Sequence, residues 1–163
     1  LSALEVIPDV SKMTIDSISK AKSIIYGAGT PYSSLLPTLE LKGIANQIKS
    51  VGCPKILVVN LAKETSNTLS AKDVIDGIYK YLKKSDDNAK DFCKSNYLTH
   101  VIVPNPTLNS NESKSLIKMD IDEISKSYAW VDVVQADIVS EHDSSKHDGV
   151  KLMNCIKSIV QNG

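Results

Sequence analysis

Apolar residues fall into two patterns that alternate along this chain: short runs of neighbours, and longer stretches in which they recur every third or fourth position. Residues 23 to 26, the run Lys55-Ile56-Leu57-Val58-Val59-Asn60-Leu61, Thr99 to Val103 and Val131 to Ile138 follow the first pattern and predict four strands. The second of these is apolar without alternation, as in a parallel strand covered on both faces. Ala3 to Ile7 reads as a further short extended piece, ended by Pro8. Helical spacing gives two turns over Thr14 to Ala21, with Thr14 as cap and Ile15 and Ile18 on one side. After Pro37, the residues Leu41, Ile44, Ala45 and Ile48 predict a helix of roughly three turns ending near Gly52. Ser70 and Asp73 make a capping-box start for a helix whose inner face carries Val74, Ile75, Ile78, Tyr81 and Leu82, with Gly77 a mild weakness. Asp120 and Glu123 can cap a helix bearing Ile121 and Ile124. Asp148 can cap a last one that turns Leu152, Met153, Ile156, Ile159 and Val160 inward. Residues 83 to 91 read as a solvated connection, and 109 to 113 as a loop.

Strands separated by helical segments, four times over, predict an α/β fold: a three-layer, Rossmann-like, doubly wound arrangement with a largely parallel sheet, flanking helices and right-handed crossovers. Ligands in such folds bind beyond the carboxyl ends of the strands. The loops at 27–38, 60–70, 104–113 and 139–148 are therefore expected to share one rim. With 163 residues the chain suffices for one domain with a single buried core, so 1–163 is read as one α/β unit.

Composition narrows the partners. All nineteen basic residues are lysines, scattered along the chain and balanced by nineteen acids to a formal net charge of zero. A nucleic-acid surface would need a basic stripe, and membrane attraction a polybasic cluster; neither is present. No apolar run approaches the ~18 to 20 residues of a membrane span, and no targeting segment opens the chain. Cys53, Cys93 and Cys155 share no metal-like spacing and read as free thiols of a reducing compartment, hence a cytoplasmic placement. A start at Leu1 instead of Met points to a chain cut from something longer. Both a monomer and a homodimer stay open.

The candidate chemistry gathers after the first strand. In Ile24-Ile25-Tyr26-Gly27-Ala28-Gly29-Thr30-Pro31-Tyr32-Ser33-Ser34-Leu35-Leu36-Pro37-Thr38 an apolar run ends in two glycines followed by hydroxyl side chains. Gly27 and Gly29 would let a ligand approach the backbone closely, and Thr30, Ser33 and Ser34 offer hydroxyls to a phosphate oxygen. A plain surface turn fits the same residues, since neither G-x-G-x-x-G nor G-x-x-x-x-G-K-[ST] is present. Without arginine, the chain has no guanidinium clamp of its own for an anion. Asn60, at a strand end, can bond a ligand or satisfy its own turn. Tyr32 can stack on a ring or pack, Glu64 can act or stay solvated, and Lys55 and Lys63 can attract phosphate. Asp73 reads first as a cap and His100 as a packed histidine. His142 and His147, among Glu141, Asp143 and Asp148, read as an exposed loop before a metal site.

The stretch from Ala21 to Leu39, then Lys42-Gly43-Ile44-Ala45 and Cys53-Pro54-Lys55-Ile56-Leu57-Val58-Val59-Asn60, resembles the CofD-like family, which contains 2-phospho-L-lactate transferase and a bacterial gluconeogenesis and morphogenesis factor. The family pattern runs strand, G-x-G-S-x-Y-T-S-x-x-P-x-L, a helix with Gly-Ile near its start, and a second strand after Pro-Lys ending in Asn. Glu64-Thr65 and Ser70-Ala71-x-Asp73 resemble its next stretch, G-E-T-x-x-Y-S-x-x-D. Thr30 stands where the family has Ser, Ser33 where it has Thr, and no Gly precedes Glu64. The likeness is good over about residues 21 to 82 and loose beyond, and its spelling is closer to eukaryotic members.

The resemblance implies a carboxy-terminal half. Its missing amino-terminal partner would carry the first strand, a Gly-Gly-rich loop and an acidic segment tied to catalysis and a divalent cation such as Mg²⁺, whose ligands would lie outside this chain. It implies a nucleotide or nucleotide sugar near Gly27, Gly29, Thr30, Tyr32, Ser33, Ser34, Asn60 and Glu64, with no catalytic residue assigned. Two activities fit: transfer of a phosphoester group to an acceptor alcohol, or regulatory binding of a uridine-diphosphate sugar without chemistry.

Overall fold

The computed structural model describes residues 7–62, 69–105 and 117–162. Its centre is a sheet of four parallel strands, β1 (Ile24–Tyr26), β2 (Lys55–Val58), β3 (His100–Pro104) and β4 (Asp132–Ala136), lying side by side in chain order. The crossovers carry α2 (Ile44–Ser50), α3 (Ala71–Ser85) and α4 (Ile121–Ser127); α1 (Lys12–Ser19) precedes β1 and α5 (Gly149–Asn162) follows β4. This is the expected three-layer α/β architecture.

Alternation along the strands decides which layer each residue joins. Tyr26, Leu57, Val59, Val101, Val103 and Val131 pack with Ile44 and Ile48 of α2, Ile75, Ile78 and Leu82 of α3 and Ile124 of α4. Ile56, Val58 and Ile102 point the other way, onto Ile156 and Ile159 of α5. β2 is therefore buried at every position, as its unbroken apolar run implies.

The helix starts follow local chemistry. Ser70 accepts from the Asp73 backbone N–H while the Asp73 carboxylate accepts from Ser70, the reciprocal box read from the sequence. Asp148 Oδ1 accepts from the backbone of Val150 and Lys151, both at 2.9 Å, and caps α5.

Several elements differ from expectation. Ser11, not Thr14, caps α1, accepting from the Thr14 N–H. The helix expected from Leu41 begins only at Ile44, because Gly43 sits at φ +85°, a left-handed conformation that ends the preceding turn. Before it, the hydroxyl-rich stretch closes into a wide five-residue turn, Pro31–Leu35, and a 3-10 turn, Leu36–Glu40. Gly77 is the residue that lets α3 approach that turn, since a Cβ there would stand 3.1 Å from Leu36 Cδ1. Asp120 takes φ 49° and caps nothing with its side chain; it pairs instead with Lys118 Nζ at 2.5 Å. On α3 it is Tyr79, more than Tyr81, that is buried, and Met153 of α5 is exposed. The extended piece at 3–6 lies outside the described residues.

The connection after α3 is not simply solvated. Asp86 is buried and its carboxylate accepts from Lys49 Nζ at 2.6 Å, Tyr97 Oη at 2.5 Å and the Asn88 N–H at 2.9 Å. Tyr97 in turn accepts at its carbonyl from Tyr26 Oη at 2.6 Å, joining this knot to β1. Burial acts to raise the Asp86 pKa, but the bonds from Lys49, Tyr97 and Asn88 outweigh it, and the carboxyl is held below its ordinary value. Asp86→Ala is expected to cost about 2–4 kcal/mol in urea unfolding at pH 7, since it strands a buried phenol and a half-buried ammonium. A native pKa below the unfolded one means the contribution is complete above about pH 4 and fades as pH falls through the native value. The stability gap between wild type and variant should therefore narrow in acid; a gap that is constant from pH 7 to pH 3 would contradict the assignment.

Candidate functional site

Four parallel strands put their carboxyl ends on one edge, and the loops that leave β1, β2 and β4 meet there. Ala28, Gly29, Thr30, Asn60, Leu61, Ala62, Ser145, Lys146 and His147 line an open cleft of about 430 Å³. Three of the loops expected to share a rim do so in their described parts. The rim beyond β3 can be followed only to Asn105, whose N–H donates to Ala136 O at 2.9 Å.

Each wall is fixed by its own bonds. Gly29 turns its N–H back to Gly27 O at 2.9 Å and presents its carbonyl to Asn60 Nδ2, also at 2.9 Å. Asn60 thereby stitches the end of β2 to the first loop, which is more than the satisfaction of its own turn. Neither Gly27 nor Gly29 has a positive φ, and a Cβ at Gly27 would meet nothing within 4 Å. What these glycines contribute is open surface, not strained backbone. Thr30 is exposed at the mouth, its carbonyl accepting from Ser34 N at 2.9 Å.

The third wall comes from the loop before α5. Asp143 Oδ1 accepts from the Ser145 N–H at 2.9 Å and its hydroxyl at 2.5 Å, and Lys146 Nζ stands 3.0 Å from Asp143 Oδ2. The Ser145 hydroxyl, Lys146 and the Ser145 amide hold the Asp143 carboxyl down at about 2. A bridge between Val139 and His147 closes the loop at its base. His147 Nε2 lies 3.1 Å from Val59 O. Burial pushes its pKa below the ordinary histidine value, and the bond to Val59 O only partly offsets this. At neutral pH the ring is therefore uncharged, with the proton on Nε2 facing the carbonyl acceptor and Nδ1 left as an acceptor.

Of the residues singled out by sequence, Gly29, Thr30 and Asn60 line the cleft and Gly27 flanks it. Tyr32, Ser33 and Ser34 are exposed on the wide turn and do not line it. Glu64 and Lys63 lie outside the described residues. Lys55 is corrected: it starts β2 at the opposite edge of the sheet, 5% exposed, with Nζ donating to Val51 O at 2.5 Å. His100 is half-buried, its Nδ1 2.7 Å from Thr99 Oγ1. Ser145 and Lys146 were not singled out, and His147 was weighed only as a metal ligand. The signal was Asp143-Ser144-Ser145, an acceptor followed two residues on by a hydroxyl residue, which folds such a loop inward.

Among the described residues no group of three His, Cys, Asp or Glu side chains stands close enough to hold a metal ion. The donors lining the cleft are amides, hydroxyls, an imidazole and an ammonium, which do not suit Mg²⁺ by themselves. Nor, among the described residues, is any helix long and apolar enough to cross a membrane.

A family model described as 2-phospho-L-lactate transferase CofD matches residues 5–139. The chain is 24% identical over 164 residues to a putative gluconeogenesis factor of Thermotoga maritima, covering 96% of this chain and 48% of that protein. It is 23% identical over 151 residues to a gluconeogenesis factor of Listeria innocua, covering 91% and 44%. A crystal structure of a UPF0052 family member from Bacillus halodurans superposes with a TM-score of 0.72 at 20% identity, over 91% of this chain and 47% of that one. The chain spans about half the length of the curated relatives it matches.

The geometry of His147 is open to direct measurement. Nitrogen-detected NMR should show the Nε2–H tautomer at pH 7 and a titration midpoint below about 6.5. A midpoint above that value would mean that the ring is solvated, and an Nδ1–H tautomer that it does not rest on Val59.

Proposed function

The chain belongs to the CofD family, and we propose that its cleft holds the diphosphate of a nucleotide or nucleotide sugar. The observation that carries this reading is the convergence of three separate loops, at 28–30, 60–62 and 145–147, on one polar hollow at the carboxyl ends of parallel strands. Lys146 is 75% exposed, so it can leave Asp143 for a phosphate oxygen at little cost. Thr30 supplies a hydroxyl at the mouth, and the second N–H of the Asn60 amide can donate beside it. Neutral His147, with Nδ1 as acceptor, suits a sugar hydroxyl and does not suit a phosphate oxygen.

One ammonium offsets only part of the charge of a diphosphate. Further positive charge, from Mg²⁺ or from cationic side chains, would come from outside the described residues. In the transferase reading, an acceptor alcohol attacks one phosphorus in line and the nucleoside phosphate departs. The part of this chain is to hold and orient the diphosphate, not to move the proton.

A second reading is favoured by two observations: no carboxylate lines the described cleft, and both relatives just compared carry the name gluconeogenesis factor. In it the site binds a uridine-diphosphate sugar as a regulator and performs no transfer.

Calorimetric titration of the natural polypeptide containing residues 1–163 with guanosine diphosphate and with uridine-diphosphate sugars, with and without Mg²⁺, separates the two. Lys146→Ala is expected to weaken the preferred ligand about tenfold, ~1.4 kcal/mol, with unfolding unchanged, whereas Lys126→Ala on α4 leaves affinity alone. Gly29→Val should also weaken binding, because its Cβ would stand 3.5 Å from Ser34 Cβ and its methyls would crowd the turn that carries Thr30. Equal affinity in all three variants would remove the cleft from the binding site.

A further inference from the structure

Asp143 uses its two carboxylate oxygens for different purposes. Oδ1 accepts from the Ser145 N–H at 2.9 Å and from its hydroxyl at 2.5 Å, which shapes the loop, whereas Oδ2 stands 3.0 Å from Lys146 Nζ. The Lys146 N–H donates to Asp143 O at 3.0 Å, so residues 143–146 form one tight turn with the ion pair across it. An ammonium held to its own turn has to swing off the carboxylate before it can serve a ligand.

Among the described residues that line the cleft, Lys146 is the only lysine. The next cation along the chain, Lys151, is taken up by Asp137 at 2.9 Å and Glu141 at 3.4 Å. His147 is uncharged and rests on Val59 O. An anion at this wall thus meets one ammonium that already has a carboxylate on it. The Asp143 carboxyl is held at about 2, so it stays charged through the mildly acid range and does not release the lysine there.

We propose that the Asp143 carboxylate is a built-in competitor of the cleft's ligand: it holds Lys146 as a phosphate oxygen would, and a diphosphate has to take the ammonium from it. The inference rests on the reading of the cleft as a diphosphate site. Two effects of the carboxylate act against the ligand. It occupies the ammonium, and its own charge repels any phosphate that replaces it. With Lys146 75% and Asp143 39% exposed, solvent reduces both effects to factors of a few in affinity. The shape of the loop needs only Oδ1, whose part an asparagine carbonyl can take over, so the two roles can be separated.

Calorimetric titration of the natural polypeptide containing residues 1–163, with guanosine diphosphate and with uridine-diphosphate glucose, makes the test. Asp143→Asn keeps an acceptor for Ser145 and gives up the charge, and should tighten each ligand that the wild type binds about three- to fivefold. Asp143→Ser, whose hydroxyl can accept from the same N–H, is a second neutral variant and should act in the same direction. In a Lys146→Ala background the gain from Asp143→Asn should shrink to about twofold or less, because no ammonium is left to contest. If both neutral variants bind no more tightly than wild type while Lys146→Ala weakens binding, the competitor is overturned and the reading of the cleft stands. A gain of equal size with and without Lys146 also overturns it, since the carboxylate then acts only as a nearby charge. If neither ligand binds, or Lys146→Ala changes nothing, the reading of the cleft fails and the inference with it.

Discussion

Pairing β1 to β2 to β3 to β4 in parallel and in chain order is the constraint from which the other features follow. Three right-handed crossovers in the same direction must all pass over one face, so α2, α3 and α4 gather there and build the larger core. The same constraint sends every strand's carboxyl end to one rim. Among the described residues α5, after the last strand, is the helix that packs on the other face, and it leaves an open groove beside it. That groove and the shared cleft thus have one origin.

How the cleft is kept in shape differs from how phosphate cradles are usually built. Its first loop spends the Gly29 amide and carbonyl on Gly27 and Asn60, so the backbone there is structural. The side chains that line the cleft add the Thr30 hydroxyl, the second Asn60 N–H and a lysine held loosely beside a strongly acidic Asp143. His147 is fixed by a backbone carbonyl of β2's end, which sets its tautomer, while burial keeps the ring uncharged. The site is therefore weakly cationic, in keeping with a chain that has no arginine.

Much of the fold was legible because local and global signals agree. The unbroken apolar run of β2 gave a strand buried on both faces, and Ser70 with Asp73 gave the start of α3. Where the reading failed, a backbone or charge effect overrode periodicity. Leu41 has helical spacing with Ile44 and Ile48, but a left-handed Gly43 intervenes. Asp86 looked solvated because its partners, Lys49 and Tyr97, come from distant parts of the chain. The rim was legible from topology, whereas Lys146 and His147 were not, since it takes the turn at Asp143 to bring them inward. Their sequence neighbours, all polar, look like any exposed loop.

Strand order has a last consequence, for how the molecule is made. Because neighbours in space are also neighbours in sequence, each strand leaving the ribosome finds the edge it must join already complete, and none has to be threaded between two others. The Asp86 knot, drawing on Lys49, Tyr26 and Tyr97, needs the chain only as far as Tyr97, before any of β3 or β4 has been synthesised. Assembly can thus proceed from the first strand outward, with α5 settling onto its face at the end.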